Sequence, residues 1–265
     1  MDHPSGPDDD PALHLTLFGG AHLDRDEVPL PVPATGMRVL AYLALHGPAA
    51  RTRAAGSLWP DSTEGHALAC LRTAVWRLRT LDPHLLRCEQ DRLWLSPSVR
   101  VDADSFVTAA RRALGDGPLE VPDALALVTA GTGDLLAGWY DDWALAERER
   151  FRQLRMHVLE RVAELLVECG RYAAALEVAY DAVAMEPLRE SAHRAVMRVH
   201  LAEGNYVEAL REFQAFRSLL AAELGVEPSP RLRAMLDPAL VVPAARRPSG
   251  SGARDHSGAP GLTGA

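Results

Sequence analysis

Four residues in the last 100 positions of this chain recur at one fixed distance. Gly170, Tyr172, Ala175 and Leu176 return as Gly204, Tyr206, Ala209 and Leu210, each 34 residues on. That period, with those residue types, is the period of a tetratricopeptide helix–turn–helix. The Gly ends a first helix, the Tyr packs between helices, and the Ala lets two helices approach closely. Pro187 and Pro228 close the units. At later equivalent positions Ala179 and Ala182 become Phe213 and Phe216. Such units bury their faces only against neighbours. Phe106–Ala130 and Leu145–Cys169 are therefore expected to supply the first helices of a stack, with a turn-rich aromatic hinge, Gly131–Trp143, between them.

The chain ahead of the repeat reads differently. His14–Phe18 alternates as a strand, and Ala21–Leu23 and Val28–Val32 read as short strands around the polar turn Asp24–Glu27. A helix starts at Thr35 and stops near Gly47-Pro48. Thr52 can cap a second helix, which Pro60 ends. Asp61 or Ser62 can cap a third, Ala67–Leu81, which Asp82-Pro83 stops. Leu85–Cys88 and Arg92–Leu95 then form a hairpin with a charged tip. Strands, three helices and a hairpin, in that order, are the layout of a winged helix. In that layout the third helix enters a DNA major groove, and the wing reaches the adjacent backbone or minor groove. Asp102 and Asp104 open the next helix.

At about 100° per residue, the third helix puts Leu71, Ala74, Val75, Leu78 and Leu81 on one face. Arg72, Thr73, Trp76 and Arg79 fall on the other, with Arg77 flanking. On its own this is an amphipathic helix with a solvated polar face. In third place before a wing it is a recognition helix, because Arg can fork onto guanine and methyl groups can touch thymine.

Composition narrows the classes. The 48% hydrophobic content is that of a globular chain. No apolar run approaches the roughly 18 residues of a membrane span. The acidic, Pro-rich start is not a signal peptide. Cys70, Cys88 and Cys169 are scattered, with no CxxC, so neither a disulfide framework nor a zinc site is indicated and a reducing cytoplasm is expected. All 28 basic residues are Arg, and Lys and Ile are absent. Because Lys and Ile codons are AT-rich, this pattern points to a high-GC genome and lowers the weight of an Arg-rich helix as evidence. The net charge of −8 argues against nonspecific nucleic-acid binding. Its distribution is informative: residues 12–105 are neutral and 106–240 carry −6, whereas Arg72–Arg92 carry +2. Any DNA contact is then local to the first part. The acidic second part suits a protein surface.

Phosphate-binding and nucleophile-elbow motifs are absent. His193 and His200, seven apart, read as core-edge residues rather than metal ligands, and Asp141-Asp142 and Glu147–Glu149 as caps and ion pairs. The reading is of a non-enzyme. Trp139, Tyr140 and Trp143 pack an inter-domain seam or, alternatively, line a ligand pocket between the repeat helices.

Several long stretches occur together and in order. They are LWPD (Leu58–Asp61), LRTAVWRLRTL (Leu71–Leu81), GWYDDWALAERERFRQLR (Gly138–Arg155), the repeat Gly170–Leu210, and ELGVEPSP (Glu223–Pro230). Over about Leu13–Leu236 the chain resembles the Streptomyces antibiotic regulatory protein family. The resemblance implies an OmpR-type winged helix followed by a bacterial transcriptional activator domain of tetratricopeptide-like helices. It implies transcription activation, binding to direct repeats of promoter DNA, contact with RNA polymerase and control of secondary-metabolite genes. Larger relatives carry a nucleotide-binding domain after the activator domain. This sequence resembles the short, stand-alone class, so no cofactor or ATP site is carried over.

The expected fold is mainly α: a winged helix-turn-helix at 12–104, a tetratricopeptide-like domain at 105–240, and disordered ends at 1–11 and 241–265. Arg72, Thr73 and Trp76 would face bases. Arg77 and Arg79 would bind phosphate or brace the helix. Arg51 and Arg53, at the second helix, and Arg92, on the wing, would position the domain on the backbone. A homodimer would form on DNA, head to tail for direct repeats. The alternative is a protein-interaction module whose winged helix does not bind DNA.

Overall fold

The computed structural model describes residues 13–115 and 117–237; the readings for 1–11 and 241–265 lie outside the described residues. In chain order the elements are β1 (Leu13–Thr16), β2 (His22–Arg25), β3 (Val28–Pro29), α1 (Ala34–His46), β4 (Ala49–Ala50), α2 (Arg51–Leu58) and α3 (Glu64–Leu81). There follow β5 (Leu86–Glu89), β6 (Arg92–Leu95), β7 (Val99–Val101), α4 (Asp102–Leu114) and α5 (Val121–Thr129). The rest is α6 (Asp142–Glu168), α7 (Tyr172–Met185), α8 (Glu190–Glu203), α9 (Tyr206–Leu224) and the short α10 (Pro230–Ala234).

The first sheet runs β3-β2-β1-β7. β1 and β2 pair antiparallel, with Leu15 opposite Leu23, and both side chains are buried. The β2–β3 turn places Asp26 and Glu27 in succession at positive φ, the geometry that fits a two-residue hairpin to strand twist. β7 pairs parallel to β1, with Leu15 opposite Val101. β7 and β4 leave no signal in the sequence. Three and two residues are too few for an alternating pattern to register. β4 joins the wing in a second sheet, β4-β6-β5.

The helix caps differ from those expected. The N-cap of α3 is Thr63 rather than Asp61 or Ser62, and the helix begins at Glu64, three residues before Ala67. Thr52 lies inside α2, whose N-cap is Ala50. Neither cap makes a side-chain hydrogen bond. Pairing of Ala50 with Arg92 fixes the start of α2 in place of a cap. Asp102 does open α4, but its carboxylate accepts from the Leu17 and Phe18 amides, 2.9 and 3.1 Å away, where β1 ends.

The repeat folds as its residues require. Gly170 and Gly204 follow α6 and α8 at φ +69° and +89°, where a side chain is strained. Ala175 and Ala209 are fully buried between helices. The Tyr206 hydroxyl donates to the Leu236 carbonyl at 2.7 Å. Phe213 and Phe216 join Met197, Leu220 and Leu232 in a separate apolar cluster at the end of the stack.

One continuous core runs from Leu13 to Val199 and joins the winged helix to the helical stack. Phe18, Phe106 and Phe151 meet with ring centroids 5.7–6.3 Å apart. Arg38 of α1 pairs with Asp141 and donates to the Leu58 carbonyl at 2.7 Å. Trp143 packs edge-on against Tyr42, which stacks on His46 at 4.3 Å.

Candidate nucleic-acid interface

α3 packs through Ala67, Leu71, Ala74, Val75 and Leu78, all buried. Leu81, expected on that face, is only half-buried because the helix is ending there. Arg72, Thr73, Trp76, Arg77, Arg79 and Thr80 are exposed on the opposite side. Trp76 leaves 67% of its surface in solvent. The Thr73 hydroxyl donates to the Ala69 carbonyl at 3.0 Å, so its lone pairs and methyl face outward. Glu64, in the first turn, is the one acidic residue of α3.

The arginines divide by their partners. In the helical stack Arg150, Arg152, Arg189, Arg198 and Arg211 all pair with carboxylates. Among the described residues, no ion pair or side-chain hydrogen bond engages Arg72, Arg77 or Arg79 on α3, nor Arg51 or Arg53 on α2. A guanidinium held by a carboxylate must give it up before taking a phosphate. An unpaired one meets no such cost.

Arg51 and Arg92 come together at the corner of α2 and the wing, and Arg53 is exposed two positions further along α2. The Arg51 amide donates to the Asp91 carbonyl at 2.8 Å, and Ala50 pairs with Arg92. Arg92 itself reaches back to the Pro48 carbonyl at 3.4 Å. Arg87, which the sequence reading missed, is exposed on β5 opposite Trp94. Strand alternation carries the signal: Leu86 and Cys88 turn inward, so Arg87 turns out.

The remaining candidates fall elsewhere. His66 and Cys70 lie 3.6 Å apart on α3. Among the described residues no group of three or more His, Cys, Asp or Glu can hold a metal ion. No described helix is long and apolar enough to cross a membrane. His193 is buried, stacked on Phe216 at 4.0 Å and 2.6 Å from Glu212. His200 is also buried. Trp143 lies at the seam, with Trp139 edge-on to it at 6.0 Å, while Tyr140 is exposed. Asp141 is the N-cap residue of α6, but its carboxylate serves Arg38 rather than the helix.

A winged helix with an unpaired cationic third helix, continuous with a stack of paired helices, defines a regulator-type architecture. The family model described as bacterial transcriptional activator domain matches residues 100–238. The chain belongs to that family, within the regulators of the Streptomyces antibiotic regulatory protein type. It is 30% identical to the regulatory protein AfsR of Streptomyces coelicolor over 257 residues, covering 89% of this chain and 26% of AfsR. It is 29% identical to AfsR of Streptomyces griseus over 245 residues, covering 86% of this chain and 24% of that protein. The chain thus spans about a quarter of the length of these relatives. In fold it is similar to Mycobacterium tuberculosis EmbR, solved in complex with a low affinity phosphopeptide. The TM-score is 0.72 at 21% identity, covering 86% of this chain and 64% of that one.

Proposed function

We propose that this regulator binds specific promoter DNA through α3 and activates transcription by contacting RNA polymerase. The observation that carries this reading is the outer face of α3, with exposed arginines that no carboxylate holds and an exposed Trp and Thr between them. Arg72, Thr73 and Trp76 read bases. Arg77 and Arg79, with Arg51 and Arg92 at the wing corner and Arg53 on α2, grip phosphates and fix the register. The acidic residues 105–240 serve protein contacts. Two copies bind head to tail on direct repeats near promoters of secondary-metabolite genes.

The test is binding to the chain's own upstream promoter DNA against a scrambled duplex, at several salt concentrations. Specific binding is expected, with Arg72→Ala losing about 1–3 kcal/mol and relaxing choice at one base pair. Arg79→Ala should weaken both duplexes alike and flatten the salt slope by about one unit. Equal, weak binding to both duplexes sinks the reading.

A further inference from the structure

A cavity of about 270 Å³ lies where the end of β1 meets α4, α6 and α7. Phe18, Phe106, Leu135, Phe151 and Met185 form its apolar walls, and three arginines of α6 enter it: Arg148, Arg152 and Arg155. Arg152 is neutralised. It pairs with Glu149 and Glu186, and its hydrogen bonds, with one from Gln153, hold the Glu149 carboxyl down at about 2. The other two guanidiniums have no carboxylate in contact. Arg148 donates to the carbonyls of Leu135, Leu136 and Trp139, at 2.6–3.0 Å. Arg155 donates to the Gly131 carbonyl. Burial presses the Arg155 guanidinium below its ordinary value, and only the more distant charge of Asp181 acts against this. Among the charged residues lining the cavity, Asp134 is exposed and makes no ion pair with either arginine.

A cation drawn out of water wants a counter-charge. A guanidinium has five N–H donors in a fixed fork that fits a carboxylate. Arg155 commits one of these to a carbonyl. The cavity is slightly smaller than the ~300–1,000 Å³ of ordinary small-molecule sites, which limits an occupant to a single ring or a short chain. Its rings favour a flat apolar body.

We infer that this cavity binds a compact aryl carboxylate, its ring among Phe18, Phe106 and Phe151 and its carboxylate on Arg155. Phe18 follows β1, Phe106 belongs to α4 and Phe151 to α6. The occupant therefore touches both the winged helix and the helical stack, and braces the seam between them. The site does not depend on DNA binding, and its test reads ligand binding alone.

The experiment is calorimetric titration of the full chain with benzoate, phenylacetate and 3-phenylpropanoate, with phenylacetamide as the uncharged control, and thermal melts at saturating acid. Saturable one-to-one binding of at least one acid is expected, with a melting temperature that rises with its concentration. The amide should bind at least about tenfold more weakly. Arg155→Gln removes the fork, and Met185→Trp fills the cavity while leaving every charge in place. Each should weaken binding at least about tenfold while the apo melt stays cooperative. No saturable binding of any of the three acids overturns the site. So does amide binding equal to acid binding, or unchanged affinity in a folded Met185→Trp protein.

Discussion

Trp76 is the residue whose exposure most needs a reason. A Trp with 67% of its surface in water contributes little to its own fold. Trp76→Ala should therefore leave stability within about 0.5 kcal/mol while weakening DNA binding; a melt and a binding isotherm on the same sample check both. A large loss of stability would show that the indole packs the domain instead. Asp102 is the opposite case. Its carboxylate holds two amides of another element, so Asp102→Ala strands them and should cost roughly 1–3 kcal/mol, read by denaturant melts. The sequence displayed Asp102 only as a helix opener. Its partners lie 84 and 85 positions away, and periodicity carries no information at that range. The face of α3 was legible because it depends on neighbours three and four residues apart. Arg87 was legible too, from strand alternation, but four residues of alternating burial make a faint signal.

At the scale of elements, the repeat was the most readable part of the chain, because each matching residue does one local job. Gly204 illustrates it. It ends α8 at φ +89°, and an added Cβ would meet nothing within 4 Å. The cost of Gly204→Ala is then backbone strain alone, about 1–2 kcal/mol, and should appear as a lowered denaturant midpoint with an unchanged slope. A neutral Gly204→Ala would mean that the helix end relaxes freely. The helix starts were less readable. Threonines, serines and aspartates near α2 and α3 invited capping, yet Ala50 and Thr63 occupy the cap positions without side-chain bonds. For α2, strand pairing to the wing decides the start, and pairing partners 42 or more residues apart leave no mark in a local window.

At the scale of the whole molecule, the two halves are parts of one hydrophobic body. The core that begins at Leu13 continues without a break to Val199. The seam within it carries the Phe18–Phe106–Phe151 cluster, the Arg38–Asp141 pair and the Trp143–Tyr42–His46 stack. A shared core of this kind leaves neither half able to unfold without exposing apolar surface of the other. The chain should therefore melt in one calorimetric transition whose van't Hoff and calorimetric enthalpies agree. Arg38 and Asp141 are each about a quarter exposed, so solvent screens the pair and reduces its worth below that of a fully buried one. Asp141→Ala still leaves the Arg38 charge half-buried without its partner, and should cost about 1–2 kcal/mol. Because the seam belongs to a single cooperative unit, that cost should lower the whole transition rather than split it. Two resolved transitions, in the parent or in Asp141→Ala, would show that the winged helix and the helical stack are independent bodies in contact. Such a result would also remove the physical route by which an occupant of the Arg155 cavity braces the winged helix.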